Sequence, residues 1–163
     1  MSGGGRIVAN TWAEYGLPYL DSANHAITSD RSRKYNCIAW TAGRDDQWWW
    51  PISPDQPFGS YYWPSEVPRE VSIQAFLRAF EGLGYKECRN SEVEEGFEKI
   101  VLFARDGLSG PPVPTHAARQ LSNGHWTSKL GRREDIVHRN VHDVSGPAYG
   151  NPVKFMKRKI TEC

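Results

Sequence analysis

Apolar residues fall at helical spacing in the first half of the chain and at strand spacing in the second. The clearest helical stretch follows Ser72. Ile73, Phe76, Leu77, Phe80 and Leu83 recur at i, i+3, i+4, i+7 and i+10, which is one face of a helix, with Ser72 to cap it and Gly82 and Gly84 to end it. Ile38, Ala39 and Ala42 predict a shorter helix closed by Gly43. Asn36 is a competent N-cap for it and puts Cys37 at the first helical position. Residues 10–34 are polar and mixed and predict irregular structure with one short helix near 21–27. Residues 44–68 hold Trp48-Trp49-Trp50-Pro51, Pro54, Pro57, Tyr61-Tyr62-Trp63-Pro64 and Pro68. Proline at that density forbids a long helix or a central strand and predicts an aromatic loop that covers something.

Beyond residue 84 the period shortens to two. Tyr85–Cys88 predicts a short strand, and Lys99–Arg105 is a continuous apolar run that reads as a strand buried on both faces. Thr115–Leu121 and His125–Leu130 flank Ser122-Asn123-Gly124, a hairpin signal. Glu134–His138 predicts one helical turn and Val153–Lys159 a last strand with basic residues facing solvent. Helix, aromatic loop, helix and then at least three antiparallel strands make an α+β domain.

The chain has 163 residues, enough for one domain with a core of its own, and the reading is a single domain over 1–163 with a flexible start at 1–9. Seven Trp and seven Tyr supply apolar surface that the aliphatic residues do not, and a net charge of +1 argues against disorder. The same balance argues against a dedicated nucleic-acid binder, despite the local basic stretch Lys154–Lys159. No apolar run approaches the roughly 18 residues that span a membrane, and the start carries no apolar signal region. The expectation is a cytosolic protein, unless a dedicated system exports it as an effector. No cofactor or metal is expected, because no His/Cys cluster has ligand spacing.

The candidate chemistry centres on Cys37. A helix N-terminus favours thiolate over thiol, and its free N–H groups can hold an oxyanion. The base that such a nucleophile needs should come from a strand packed on the helix. His116 opens one, followed by the small residues Ala117 and Ala118. The turn decides which residues share its face. A two-residue Asn123-Gly124 loop puts His125, Thr127 and Lys129 on the His116 face; a three-residue loop puts Trp126 and Ser128 there. Gln120 lies on that face in either case.

Three words, Tyr35-Asn36-Cys37, His116-Ala117-Ala118 and Trp126–Gly131, resemble motifs of the papain-like superfamily, in its NlpC-type peptidases and amidases. The resemblance implies a papain-like α+β fold with N-terminal helices packed on an antiparallel sheet. It also implies a third polar residue about twelve positions beyond the histidine, here Ser128. Nearly the whole chain, from Tyr35–Gly43 through Trp48–Pro51 and Tyr62–Pro64 to His116–Leu121 and Trp126–Gly131, also resembles a family of uncharacterised bacterial proteins, a domain of unknown function.

Each residue has a plainer reading. Cys88 reads as core and Cys163 as incidental. His125 reads as a solvated turn residue. Asp135, His138 and His142 would share one face of a helix as a metal site, but structural or surface roles are favoured there. The Trp48–Trp50 run is either a ligand-binding rim or a loop that anchors itself. The expected activity is that of a cysteine hydrolase on an amide or acyl bond of a peptide or protein, with Cys37, His116 and Ser128 as the catalytic set. Asn36, Trp49, Trp50, Gln120, Trp126 and Lys129 are expected at the substrate. The alternative is an inactive binding module whose aromatic groove takes a peptide or protein partner.

Overall fold

The structure, a computed structural model, describes residues 11–51 and 61–161. The expected flexible start, the middle of the aromatic loop and Cys163 lie outside the described residues. Among the described residues three helices form: α1 (Thr11–Glu14), α2 (Cys37–Thr41) and α3 (Ile73–Glu81), with a 3-10 turn over Val141–Val144. The strands are β1 (His25–Ile27), β2 (Lys86–Cys88), β3 (Phe97–Arg105), β4 (Val113–Gln120), β5 (Trp126–Lys129), β6 (Asp135–His138) and β7 (Asn151–Lys159). They make one seven-stranded sheet in the order β1-β6-β5-β4-β3-β7-β2, and every pairing is antiparallel.

This overturns the papain-like α+β layout. There is no layer of N-terminal helices: α1 and α2 have four and five residues, and the sheet dominates the molecule. Two local misreadings account for the difference. The segment near 21–27 supplies an edge strand, β1, instead of a helix. Glu134–His138 supplies β6, whose side chains alternate across the sheet instead of winding onto one helical face.

The central strand β3 is buried on both faces, as its apolar run predicts. Ile100 and Leu102 face a cluster with Ile38, Ala39, Phe76, Phe80 and Trp63; Val101 and Phe103 face Leu17, Leu20, Trp126, Ile136 and Val144. Helix α3 is capped by Ser72, whose hydroxyl accepts from the Ala75 N–H at 3.1 Å, and it sinks Phe76 and Phe80 into the first cluster.

The β4–β5 turn fixes the faces. Gln120 pairs with Trp126 and Arg119 with Thr127, so three residues, Ser122-Asn123-Gly124, close the hairpin. A two-residue type I′ turn would need positive φ at Asn123, but among the described residues only glycines have it, and Gly124 stands at φ 89°. The Asn123 carboxamide instead accepts from the His125 N–H at 3.0 Å. Ser128 and Trp126 therefore share a face with His116.

Candidate functional site

Asn36 builds the start of α2. Its side-chain oxygen accepts from the Ala39 N–H at 3.2 Å and the Trp49 N–H at 3.0 Å, and its amide donates to the Trp49 carbonyl at 2.8 Å. One side chain thus caps the helix and ties the aromatic segment to it. Cys37 follows as the first helical residue, as predicted. It opens into a pocket of about 340 Å³ lined by Asn36, Trp48, Trp50, Tyr61, Thr115, Gly131 and Tyr149. The walls are largely apolar rings. Trp48 stacks on Tyr61 at 5.8 Å, and Trp50 meets Phe76 edge-to-face at 5.3 Å. A larger groove of about 930 Å³, between the start of α3 and residues 105–113, has neither cysteine nor histidine among its lining residues.

Helix α2 packs against β4 and β5, and Trp40 Nε1 donates to Thr127 Oγ1 at 2.9 Å. The Cys37 sulfur faces the backbone N–H groups of Ala117, Ile38 and Cys37 itself, and the Lys129 charge adds to their pull. Burial outweighs all of them and pushes the thiol up to about 11. The expectation of a thiolate at rest is thereby corrected. The helix has only five residues, too few to offset the loss of water around the sulfur.

His116 precedes Ala117 and is 1% exposed. Tyr149 lies on its ring, and Phe103 meets it edge-on at 5.2 Å. Tyr149 also lines the Cys37 pocket, so it touches the surroundings of both residues. Burial, with the neighbouring His138, holds the imidazole well below its ordinary pKa, so it is neutral. Its Nε2 lies 3.0 Å from Ser128 Oγ; among the described residues its Nδ1 has no hydrogen-bond partner, and no hydrogen bond joins it to Cys37. Ser128 Oγ lies 2.8 Å from His138 Nε2, and His138 Nδ1 lies 2.9 Å from the Asn140 carbonyl. Burial pushes His138 down to about 4.

Thr115 reaches the pocket through a bulge. Phe103 pairs with His116 and Ala104 with Pro114, which leaves Thr115 as the extra residue. Its hydroxyl donates to the Tyr149 carbonyl at 2.5 Å. Gly150 completes the seat: at φ 74°, a side chain there would collide with the Ala104 carbonyl.

Four residues expected at the substrate do not line this pocket. Trp49 is core, tilted on Tyr62 at 4.5 Å. Gln120 sits at the far end of β4 and donates to the Ser91 carbonyl at 2.6 Å. Trp126 belongs to the second core cluster. Lys129 is buried, with its ammonium donating to the Ser32 and Gly131 carbonyls and lying 4.7 Å above the Tyr35 ring. Burial lowers its pKa, against the pull of Asp135 and Cys37. Asn36 and Trp50 do line the pocket, although the Asn36 carboxamide is occupied with Trp49 and Ala39. Sequence reasoning missed Thr115 and Tyr149, which have no periodic signal, and weighed His138 only as part of a metal set on a helix, because its strand was read as a helical turn.

Among the described residues, no group of three or more His, Cys, Asp or Glu is gathered to hold a metal ion, and no helix is long and apolar enough to cross a membrane. No curated protein and no solved structure matches the chain. One family model does match, over residues 26–157, and nothing in that match links the chain to NlpC-type peptidases. Those residues take in every strand but the two ends of β1 and β7 and hold all of the site: the chain belongs to DUF7689, a domain of unknown function.

Proposed function

We propose that the protein is a cysteine hydrolase that cleaves or transfers an amide or related acyl bond of a peptide or protein at the Cys37 pocket. One observation carries the reading: among the described residues His116 Nδ1 is buried without a hydrogen-bond partner, and Tyr149, which lies on the His116 ring, also lines the Cys37 pocket. Leaving a buried polar atom unpaired costs roughly 1–3 kcal/mol; His116 Nδ1 is one of seven side-chain atoms so placed among the described residues, and of these it alone is a ring nitrogen that can take up a proton. A nitrogen kept free for a transient proton accounts for that cost. The words around Cys37 and His116, which resemble those of NlpC-type amidases, favour amide chemistry over other acyl transfers.

In this mechanism both groups rest neutral. As the substrate enters, His116 Nδ1 takes the Cys37 proton and the sulfur bonds to the acyl carbon. The carbonyl electron pair moves to its oxygen, which the Cys37 backbone N–H steadies. The pair returns, the carbon–nitrogen bond breaks, and the amine leaves with the proton from His116. Water then attacks the thioester with His116 as base, and the carboxylic acid and the free thiol are released. The rings of Trp48, Trp50, Tyr61 and Tyr149 exclude water around the acyl group.

A simple activated ester, p-nitrophenyl acetate, tests the reading without knowledge of the natural substrate. Mass spectrometry should find one acetyl group on Cys37, formed and then lost. His116→Ala should slow its formation about 100-fold or more. If folded His116→Ala protein is acetylated as fast as the wild type, the two residues are not a couple, and the aromatic pocket is that of a binding module.

A further inference from the structure

The hydrogen bonds around Ser128 admit only one direction. The Asn140 carbonyl can only accept, so His138 Nδ1, at 2.9 Å, carries a proton. A neutral imidazole has one N–H, which leaves His138 Nε2 as a bare lone pair. Ser128 Oγ, at 2.8 Å, has a single proton and donates it there. The Ser128 oxygen then accepts from His116 Nε2 at 3.0 Å, which puts the His116 proton on Nε2. Nδ1 keeps its lone pair, and it is the atom with no partner. Reversing the chain requires a second proton on His138, a ring with no exposed surface. The charged and titratable groups that act on it are Asp143, which favours that proton, and His25 and His125, which oppose it.

We propose that His138 is a positioning residue: through Ser128 it locks His116 in the Nε2–H tautomer and so keeps Nδ1 a proton acceptor. The catalytic consequence rests on the hydrolase reading above; the tautomer assignment does not. The strand geometry explains how the relay is held. Ser128 pairs with Ile136 and His138 with Trp126, so Ser128 and His138 are diagonal neighbours on one face, and Ser128 stands between the two imidazoles.

The test is a long-range ¹H–¹⁵N spectrum of uniformly labelled protein at neutral pH, which distinguishes a protonated ring nitrogen from a bare one. In the wild type, His116 should show a bare Nδ1 and a protonated Nε2. In His138→Phe, which has no acceptor for the Ser128 hydroxyl, the two His116 tautomers should mix. In His138→Gln the side-chain oxygen can take that hydroxyl proton, and the Nε2–H form should return. Acetylation of Cys37 should fall by about 10- to 100-fold in His138→Phe and recover in part in His138→Gln. A protonated Nδ1 in the wild type overturns the proposal without any variant, and so does an unchanged His116 tautomer in folded His138→Phe. If the tautomer shifts as expected while His116→Ala acetylates at the wild-type rate, the relay stands and the hydrolase reading falls.

Discussion

Tyr149 lies flat on His116, with ring centroids 4.0 Å apart and planes 11° from parallel. Burial is the largest cause of the low His116 pKa, and this ring provides one side of it. Tyr149→Ala should admit water and raise the His116 pKa towards the ordinary histidine value. An NMR titration of the His116 ring checks this. An unchanged midpoint would mean that Phe103 and the strand below it, not Tyr149, keep the ring dry.

The thiol pushed up to about 11 makes a statement about reactivity. With Cys88 and Cys163 replaced by serine, iodoacetamide labelling of Cys37 should keep accelerating beyond pH 10. A plateau below pH 8 would contradict the buried, neutral thiol. The sign for stability follows from the same shift. The folded pKa lies above the ordinary value of 9.0, so the contribution is fully present below about pH 9 and is lost as pH rises through 11. Its size is about 3 kcal/mol, and Cys37→Ser should remove that alkaline loss from denaturation curves.

His138 acts at the other end of the scale. Its folded pKa of about 4 lies below the ordinary 6.5, so the unfolded chain binds the proton more readily. Stability is present above pH 6.5 and is lost as pH falls through 4, by about 3 kcal/mol from this residue alone. Urea unfolding at pH 7 and pH 4.5 measures it. His138→Gln should flatten the slope between those values.

Removing both members of the proposed couple should hurt no more than removing one. Neither Cys37 nor His116 accelerates acyl transfer without the other, so the double alanine variant should release p-nitrophenol from p-nitrophenyl acetate at the same rate as Cys37→Ala. Additive losses would show that the two act independently.

Phe76 and Phe80 are buried to within 1% of their surface in the cluster under α3. Phe76→Ala and Phe80→Ala should each cost about 3–5 kcal/mol in chemical denaturation. Curves that overlay the wild type would displace α3 from the core.

What could be read from the residues was local. Ser72 and Asn36 announce their helices because a cap needs only the next three residues, and Lys99–Arg105 announces a buried strand by its unbroken apolar run. The His116–Ser128 face was readable as one of two choices, and the conformation of Asn123 decided between them. The sheet's far side was not legible. His25–Ile27 is a strand because it pairs with Asp135–His138, with Ala26 opposite Val137, and Asp135–His138 because it pairs with both His25–Ile27 and Trp126–Lys129; neither has enough apolar alternation to show it alone. For the same reason the papain-like layout failed: it was inferred from short words and element order, and neither counts strands. The pocket was partly hidden because Trp48, Trp49 and Trp50 are indistinguishable in sequence. The ties from Asn36 to the Trp49 backbone, with the backbone bonds of Trp48 and Trp50 to Tyr62, turn Trp49 inward and leave its neighbours at the pocket.

The turn at 122–124 sets a reading frame for everything downstream of it. A loop of one residue fewer would advance β5 by a single step and exchange its two faces. Lys129 would then bring an ammonium, and Thr127 a methyl-bearing hydroxyl, to the side where Ser128 now links two imidazoles. The relay to His138 would be cut, and a cation would stand beside a histidine that works only while neutral. Surface turns ordinarily tolerate such a deletion; here it would leave the composition of the site intact and scramble its meaning.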